Sequence, residues 1–330
     1  MNTIRQFRKL LYLLIAILTA GAATAQPAKF NLKDLSDAAL VKKLPGFSNE
    51  TAEVNGIRLH YVTGGKGDLV VLLPGWPETW WSFSKIMPVL SQQYKVVSVD
   101  IRGMGSSDKP DSGYEKKNMA KDVYELVRKL GYSNAYVIGH DIGAQVAFSF
   151  AANYPAATKK LVLLDVPHPD ESWFSLPLLP QKGTFSDELD EAHPYLWWFA
   201  FHQVKGMPEQ ILEGRAQLEH EWFFKYLAYD EKAISAFDRA VYAAAYNQKG
   251  GVRAGNAWYQ AFAQDIVDNN TYGKLDIPVI GIAGPGYGWL NAVLPVRATD
   301  WKVVRVEGSG HFVVEERPEA TVKYILDFLK

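Results

Sequence analysis

Asp141 stands in the stretch VIGHDIGAQVAF, from Val137 to Phe148, between Gly139 and Gly143. An apolar run ends just before it and a helical pattern starts just after it. A chain turning sharply from strand to helix needs small residues at the corner, where its backbone passes close to neighbours. A carboxylate there would project above the C-terminal edge of a sheet. It would face the N–H groups and the positive dipole end of the following helix. Two roles stay open for it, a nucleophile and a helix N-cap.

His311 lies in EGSGHFVVEERPE, past a late apolar strand. A Gly-Ser-Gly loop can carry an imidazole over a sheet edge, and this histidine follows Asp141 in the order expected of nucleophile and general base. The plainer alternative is an ordinary loop histidine. Asp165 ends the apolar run LVLLDVP. A carboxylate buried there needs a partner, which His311 would provide by taking Asp165 at its second nitrogen; otherwise Asp165 caps its own loop. LLPGWPETWW, from Leu72, ends a further apolar run. The backbone N–H groups of Trp76 and Ile142 are expected to converge on one oxygen as an oxyanion hole. The Trp76–Pro77 bond is a candidate for cis.

An aspartate selects its own electrophile. Attack on an acyl carbon would give an anhydride, a poor route to ester hydrolysis. Attack on a saturated carbon bearing a strained ring oxygen or a halide gives an ordinary alkyl ester of Asp141. His311 could then activate water against that ester, whose developing oxyanion would meet the two backbone N–H groups.

These residues must be held by a sheet. DLVVLLPG, KVVSVD, NAYVIGHD, KKLVLLDVP, IPVIGIAG and WKVVRVEG read as strands, most of them buried on both faces. IRLHYVTGG, from Ile57, alternates as a half-exposed strand. Between them KKNMAKDVYELVRKLGY and IGAQVAFSFAANYP read as helices, WSFSKIMPVLSQQY as a helix interrupted by Pro88, and RPEATVKYILDFLK as a closing amphipathic helix. Strand-helix alternation predicts an α/β fold, a mainly parallel sheet with helices on both faces. The alternation breaks from about His168 to Gly273, which is rich in aromatic residues and helical pattern. The expected organisation is a leader over 1–25, a core over 26–167 and 274–330, and a helical cap over 168–273. Residues from Gln26 to about Ser48 read as a connecting segment.

The chain has 330 residues, 48% hydrophobic and 22% charged, with a net charge of −1 and no cysteine. That length can build one large core. The charge balance gives no basic field for nucleic acid, and the missing thiols exclude disulfides and cysteine catalysis. Basic residues Arg5, Arg8 and Lys9 precede the apolar stretch Leu10–Ala25, which ends Ala-Thr-Ala. This reads as an export signal cleaved near Ala25, with a periplasmic or secreted mature protein. An uncleaved anchor is the alternative; after cleavage no stable membrane span is expected. The seven histidines form no metal-ligand pair at helical spacing, and GMGSS opens no dinucleotide helix, so neither a metal nor a cofactor is implied.

The segments PGWPETWW, DIRGMGSSDKP, GHDIGAQVA, LVLLDVPHP, NAWYQAF and GSGHFVVEERPE, in that order, resemble the α/β-hydrolase fold family. Within it they resemble the epoxide hydrolase and haloalkane dehalogenase branch with an aspartate nucleophile. The resemblance covers nearly all of the mature chain. It departs from the family's His-Gly-x-Pro at the oxyanion turn, where Pro74 replaces the histidine. It implies two cap donors that assist the leaving group. Tyr259 matches the second, and Trp198 falls where the first is expected. An indole N–H donates but is no proton source. His202 and Tyr246 are further pocket candidates, with cap packing as the plainer role. Haloalkane dehalogenases usually carry Trp where Ile142 stands. Fluoroacetate dehalogenases carry Arg at the positions of Ile142 and Gln145, and His where Trp197 stands. The expected activity is therefore hydrolysis of a small apolar epoxide to a diol. Dehalogenation of an alkyl halide is the alternative, and a non-catalytic binding protein on the same scaffold is the reading from another class. Monomer and homodimer both stay open.

Overall fold

A computed structural model describes residues 30–180, 189–191 and 193–330. The expected leader lies outside the described residues. An eight-stranded sheet runs in the order β1-β2-β4-β3-β5-β6-β7-β8. Its strands are β1 (Phe47–Val54), β2 (Ile57–Gly64), β3 (Leu69–Leu73), β4 (Lys95–Asp100), β5 (Ala135–His140), β6 (Thr158–Leu164), β7 (Leu275–Ala283) and β8 (Ala298–Arg305). The first two are antiparallel to each other, β2 is antiparallel to β4, and every later pairing is parallel.

The apolar runs are continuous because both faces are covered. Leu69, Val71 and Leu73 enter one core, and Val70 and Leu72 enter the other. The same split divides Val137 from Ile138, and Leu161 and Leu163 from Val162 and Leu164. Each of these three strands thus places alternate side chains on opposite buried faces, and no polar face is left on them.

The helices are α1 (Asp37–Val41), α2 (Met87–Leu90), α3 (Lys116–Lys129), α4 (Ile142–Asn153), α5 (Trp197–Gln203), α6 (Met207–Leu212), α7 (Gln217–Leu227), α8 (Ala236–Tyr246), α9 (Gly251–Gln260), α10 (Phe262–Asn269), α11 (Tyr287–Arg297), α12 (Val313–Glu316) and α13 (Pro318–Leu329). Helices α5 to α10 all fall in the chain between β6 and β7. One buried ion pair ties this insertion to the core. The Lys116 ammonium donates to Asp265 Oδ2 at 2.8 Å and to the Trp258 carbonyl at 2.6 Å. The Lys116 backbone N–H takes the other carboxylate oxygen at 2.7 Å.

Three expectations change. The segment before residue 48 is not merely a connection. It holds a short 3-10 turn at Leu32–Leu35, then α1 and the start of β1. The stretch from Trp81 forms no continuous helix but a 3-10 turn (Trp80–Lys85) and then α2, with Pro88 in the first turn of the latter. Strand β2 is buried over most of its length rather than half-exposed, because it lies between β1 and β4. The polar edge strand β1 was hidden from the sequence because its exposed positions, on both faces, carry Ser48, Asn49, Glu50, Thr51 and Glu53.

Candidate functional site

Asp141 sits at the corner between β5 and α4 with φ 50° and ψ −120°. A non-glycine residue in that conformation is strained and persists only when its surroundings hold it. The surroundings are close. A Cβ built on Gly75 would lie 2.3 Å from the Asp141 Cβ, and one built on Gly143 would lie 2.0 Å from the Leu73 carbonyl oxygen. Only glycine lets these backbones pass. The Asp141 side chain makes no capping hydrogen bond to its helix, so the N-cap role is set aside. Its Oδ1 instead accepts from the Trp76 backbone N–H at 2.9 Å. The Trp76–Pro77 bond is cis. Ile142, whose N–H was expected as the second donor, is the first residue of α4 and lines the same cavity.

His311, past β8, presents Nε2 at 3.8 Å from Asp141 Oδ2 and Nδ1 at 2.7 Å from Asp165 Oδ2. The long first contact is no hydrogen bond. Asp165, also at positive φ (64°), follows β6 directly. Its other oxygen accepts from the Gly284 and Gly286 backbone N–H groups, each at 2.9 Å. The glycine-rich segment GPGYGW, which carries no acid of its own, thus supplies the donors that hold an acid from the neighbouring strand.

A second polar layer lies behind this trio. His140 Nδ1 is 2.9 Å from Glu78 Oε2, and its Nε2 is 2.9 Å from the His311 carbonyl oxygen, which that nitrogen can bond only as a donor. Burial raises the Glu78 and Glu315 carboxyls above the usual carboxylate range. Tyr242 donates to Glu315 at 2.9 Å. Sequence reading did not single out Glu78 or His140. Both sit within motifs it used, one residue after Pro77 and one before Asp141.

Asp141, Asp165 and His311 open into a cavity of about 410 Å³. Its walls are mostly apolar, with Val166, Leu196, Phe199, Phe223 and Trp289 among them. Trp198 and Tyr259 line it together, although they come from different helices, α5 and α9. Burial pushes the Tyr259 phenol well up, the Asp141 and Glu219 charges add to this, and a hydrogen bond from the Trp198 side chain opposes it. Gln145 also lines the cavity, and its Oε1 is buried without a hydrogen-bond partner among the described residues. No lysine or arginine lines it among the described residues, whereas Glu191 does.

Two expected pocket residues lie elsewhere. His202 is fully buried one layer behind the wall, its ring stacked on Tyr259 at 4.5 Å. Tyr246 is buried beside Trp76 and donates to the Glu78 carbonyl at 3.1 Å. Neither lines the cavity, because the indole of Trp76 fills the space in front of them; its ring lies 4.9 Å from His202 and 6.4 Å from Tyr246.

One group away from the cavity has cation-ligand residue types. Asp37, His60 and Asp100 bring one atom each within 4.8 Å of one another. Their atoms already bond protein groups: His60 Nδ1 to Asp100 at 2.7 Å, and the Trp80 backbone and indole N–H to Asp100 and Asp37 at 3.0 and 2.7 Å. This is a closed internal network rather than an open coordination shell.

Residues 68–192 match the α/β-hydrolase fold family. The chain is 33% identical over 290 residues to a soluble epoxide hydrolase of Corynebacterium sp. (strain C12), covering 85% of this chain and 96% of that one. It is 24% identical over 301 residues to a fluoroacetate dehalogenase of Burkholderia sp., covering 86% and 94%. A solved structure of the Cif epoxide hydrolase from Acinetobacter nosocomialis superposes with a TM-score of 0.80 at 22% identity, covering 93% and 99%.

Proposed function

This chain belongs to the α/β-hydrolase fold family, in the branch that holds epoxide hydrolases and dehalogenases, and we propose that it opens a neutral epoxide to a vicinal diol through an alkyl ester on Asp141. The observation that carries this reading is the pairing of a carboxylate, fixed at the corner by the Trp76 N–H, with two donors across an apolar cavity that no lysine or arginine lines among the described residues.

In the proposed sequence Asp141 Oδ2 attacks one ring carbon and the C–O bond breaks. Tyr259 donates its phenolic proton to the departing oxygen while Trp198 donates a hydrogen bond. The ester carbonyl then lies against the Trp76 and Ile142 N–H groups, the expected oxyanion hole. Water loses a proton to His311 Nε2 and adds to the ester carbon, collapse releases the diol and the Asp141 carboxylate, and the proton held by His311 passes through solvent to restore the Tyr259 phenol. Asp165 keeps the Nδ1 proton in place and stabilises the imidazolium. The helical insertion acts as a cap that carries both leaving-group donors. Residues 1–25 act as an export signal, and a mature N-terminus at Gln26 in periplasmic or secreted material would support that.

Dehalogenation remains the second reading because two N–H and O–H donors also suit a leaving halide. The test is mass spectrometry of His311→Gln incubated with styrene oxide and, separately, with 1-bromobutane. Epoxide hydrolysis predicts rapid addition of styrene oxide at Asp141. Faster addition of the butyl group would favour dehalogenation. Addition of neither would overturn the covalent mechanism.

A further inference from the structure

Behind Tyr259 the insertion buries a set of groups that the proposed mechanism does not use. His202, Glu219, His220 and Asn256, from α5, α7 and α9, are at most 8% exposed. His202 Nδ1 lies 2.6 Å from Asn256 Oδ1, so this nitrogen carries the proton and Nε2 is the free acceptor of a neutral ring. Glu219 Oε1 lies 3.3 Å from that Nε2. The contact is too poorly angled to count as a hydrogen bond, and both atoms are otherwise unpaired. A small carboxyl rotation would make it one.

The His202 ring stacks on the Tyr259 ring at 4.5 Å with an interplanar angle of 27°. Trp76, whose N–H holds Asp141, stands edge-on to His202 at 4.9 Å and to Tyr259 at 6.1 Å. The groups packed around His202 are Glu219 and His220 from α7, Asn256 and Tyr259 from α9, and Trp76, with Tyr246 of α8 beyond His220 at 5.0 Å. None of them is a cation, so any positive charge at His202 must come with the proton of Glu219.

We propose that Glu219 and His202 share one proton that moves toward His202 as Tyr259 gives up its own, making them a positioning pair for ring opening. The proton passes from the Glu219 carboxyl to His202 Nε2. The O–H bond breaks, the N–H bond forms, and the pair stays neutral overall. Its dipole turns so that an imidazolium faces the Tyr259 ring just as that ring becomes a phenolate. In a dry interior such an answering charge is strong, and the low-energy state before reaction pays nothing for it. Burial suits the resting form: it holds Glu219 up to about 8 and His202 down to about 4, so near neutrality the acid is protonated and the imidazole uncharged. His220, held down to about 3, stays neutral as well.

This inference rests on the epoxide hydrolase reading, and its test separates the two. Glu219→Gln is the informative variant, because Gln copies the shape and neutrality of the protonated acid yet has no proton to pass. With styrene oxide, the single-turnover rate of adduct formation at Asp141 should fall about tenfold or more, a part of the ~10²–10⁴ that general-acid assistance supplies. Substrate affinity and the adduct's hydrolysis rate should stay as in the unaltered protein. The alkaline fall in adduct formation near pH 8 should vanish. An unchanged rate and pH profile would overturn the proposal while leaving the epoxide reading intact. If the unaltered protein forms neither adduct nor diol, the epoxide reading fails, and the pair is judged by infrared difference between the two proteins. A buried carboxylic acid carbonyl band lost in Glu219→Gln at pH 7 supports a shared proton; its absence overturns it.

Discussion

Asp165 Oδ2 lies 2.7 Å from His311 Nδ1 while its other oxygen is held by two backbone N–H groups. The carboxylate is thus oriented by the loop and in turn fixes the imidazole, leaving Nε2 aimed toward Asp141. Replacing Asp165 by Asn keeps the size but lets the amide donate to Nδ1, which selects the wrong tautomer. Hydrolysis of the alkyl ester should slow by about 10³–10⁴, as for such triads generally. Adduct formation should change far less, since it needs no base. Single-turnover kinetics that follow both phases measure the split.

The two donors of the cavity differ in kind. A phenol can release a proton to an alkoxide, whereas an indole N–H only donates a hydrogen bond. Tyr259→Phe should therefore cost about 10²–10³ in adduct formation with styrene oxide, and Trp198→Phe about tenfold. With 1-bromobutane the leaving bromide needs no proton, so the two losses should become similar. Equal losses on the epoxide would show that the phenol is not the acid.

Much of the candidate site's make-up was legible in the sequence. The Gly139-His140-Asp141 turn, the His311 loop and the acid at Asp165 announce themselves through a single residue at a strand end. The sheet was legible wherever both faces are buried, since a short unbroken apolar run bounded by turn residues marks a strand covered on both sides. Strand β1 was not, because an edge strand with polar outward residues carries no such run. Nor was the position of His202. Its ring is placed by α5, α7 and α9 meeting behind Trp76, a long-range packing event that no local spacing records. The same cause hid Glu78 and His140 from view: their contact spans β5 and the loop after β3.

The charges that line the cavity among the described residues favour neutral substrates over carboxylates. Asp141, Asp165 and Glu191, the last paired with Arg305 at 2.6 Å, line it, and no lysine or arginine does so among the described residues. A carboxylate-bearing substrate would meet like charge and leave its own charge unpaired, a desolvation cost of several kcal/mol. Chloroacetate and fluoroacetate should therefore give no adduct with His311→Gln under conditions where a neutral electrophile does. Replacing Gln145 by Arg, which puts a cation at its unpaired Oε1 position, should raise chloroacetate reactivity, and mass spectrometry reads both outcomes.

The buried insertion groups should also contribute to the pH dependence of stability, in opposite senses. Glu219 is raised from 4.5 to about 8 by burial, so the folded chain keeps a proton that the unfolded chain loses across that window. Its contribution is full below pH 4.5 and is lost as pH rises toward 8. His168, His202 and His220 are lowered from 6.5 to about 3, 4 and 3 by burial. Their contribution is full above pH 6.5 and is lost as pH falls toward 4. Denaturant midpoints should therefore peak between these limits. Glu219→Gln should lessen the decline from pH 6 to 8, gaining a few kcal/mol at pH 8 at about 1.4 kcal/mol per pH unit of separation, while the raised Glu78 and Glu315 carboxyls keep the remainder.

Gly286 tests whether the site depends on the loop that holds its acid. A Cβ there would lie 1.7 Å from the Asp165 carbonyl oxygen and 2.9 Å from its carboxylate. Real Cβ atoms do not approach backbone so closely, so either Asp165 or the start of α11 must move. The strain falls at the end of the sheet, where the Asp165 backbone N–H donates to the Ile282 carbonyl at 3.1 Å, and the cost to folding should stay near the ~1–3 kcal/mol typical of overpacking. The geometry at His311 tolerates much less. Gly286→Ala should therefore remain folded by circular dichroism, still form the adduct at Asp141, and hydrolyse it at least about a hundredfold more slowly, as a misplacement of about 1 Å commonly does. Full turnover by this variant would mean that Asp165 does not orient the base.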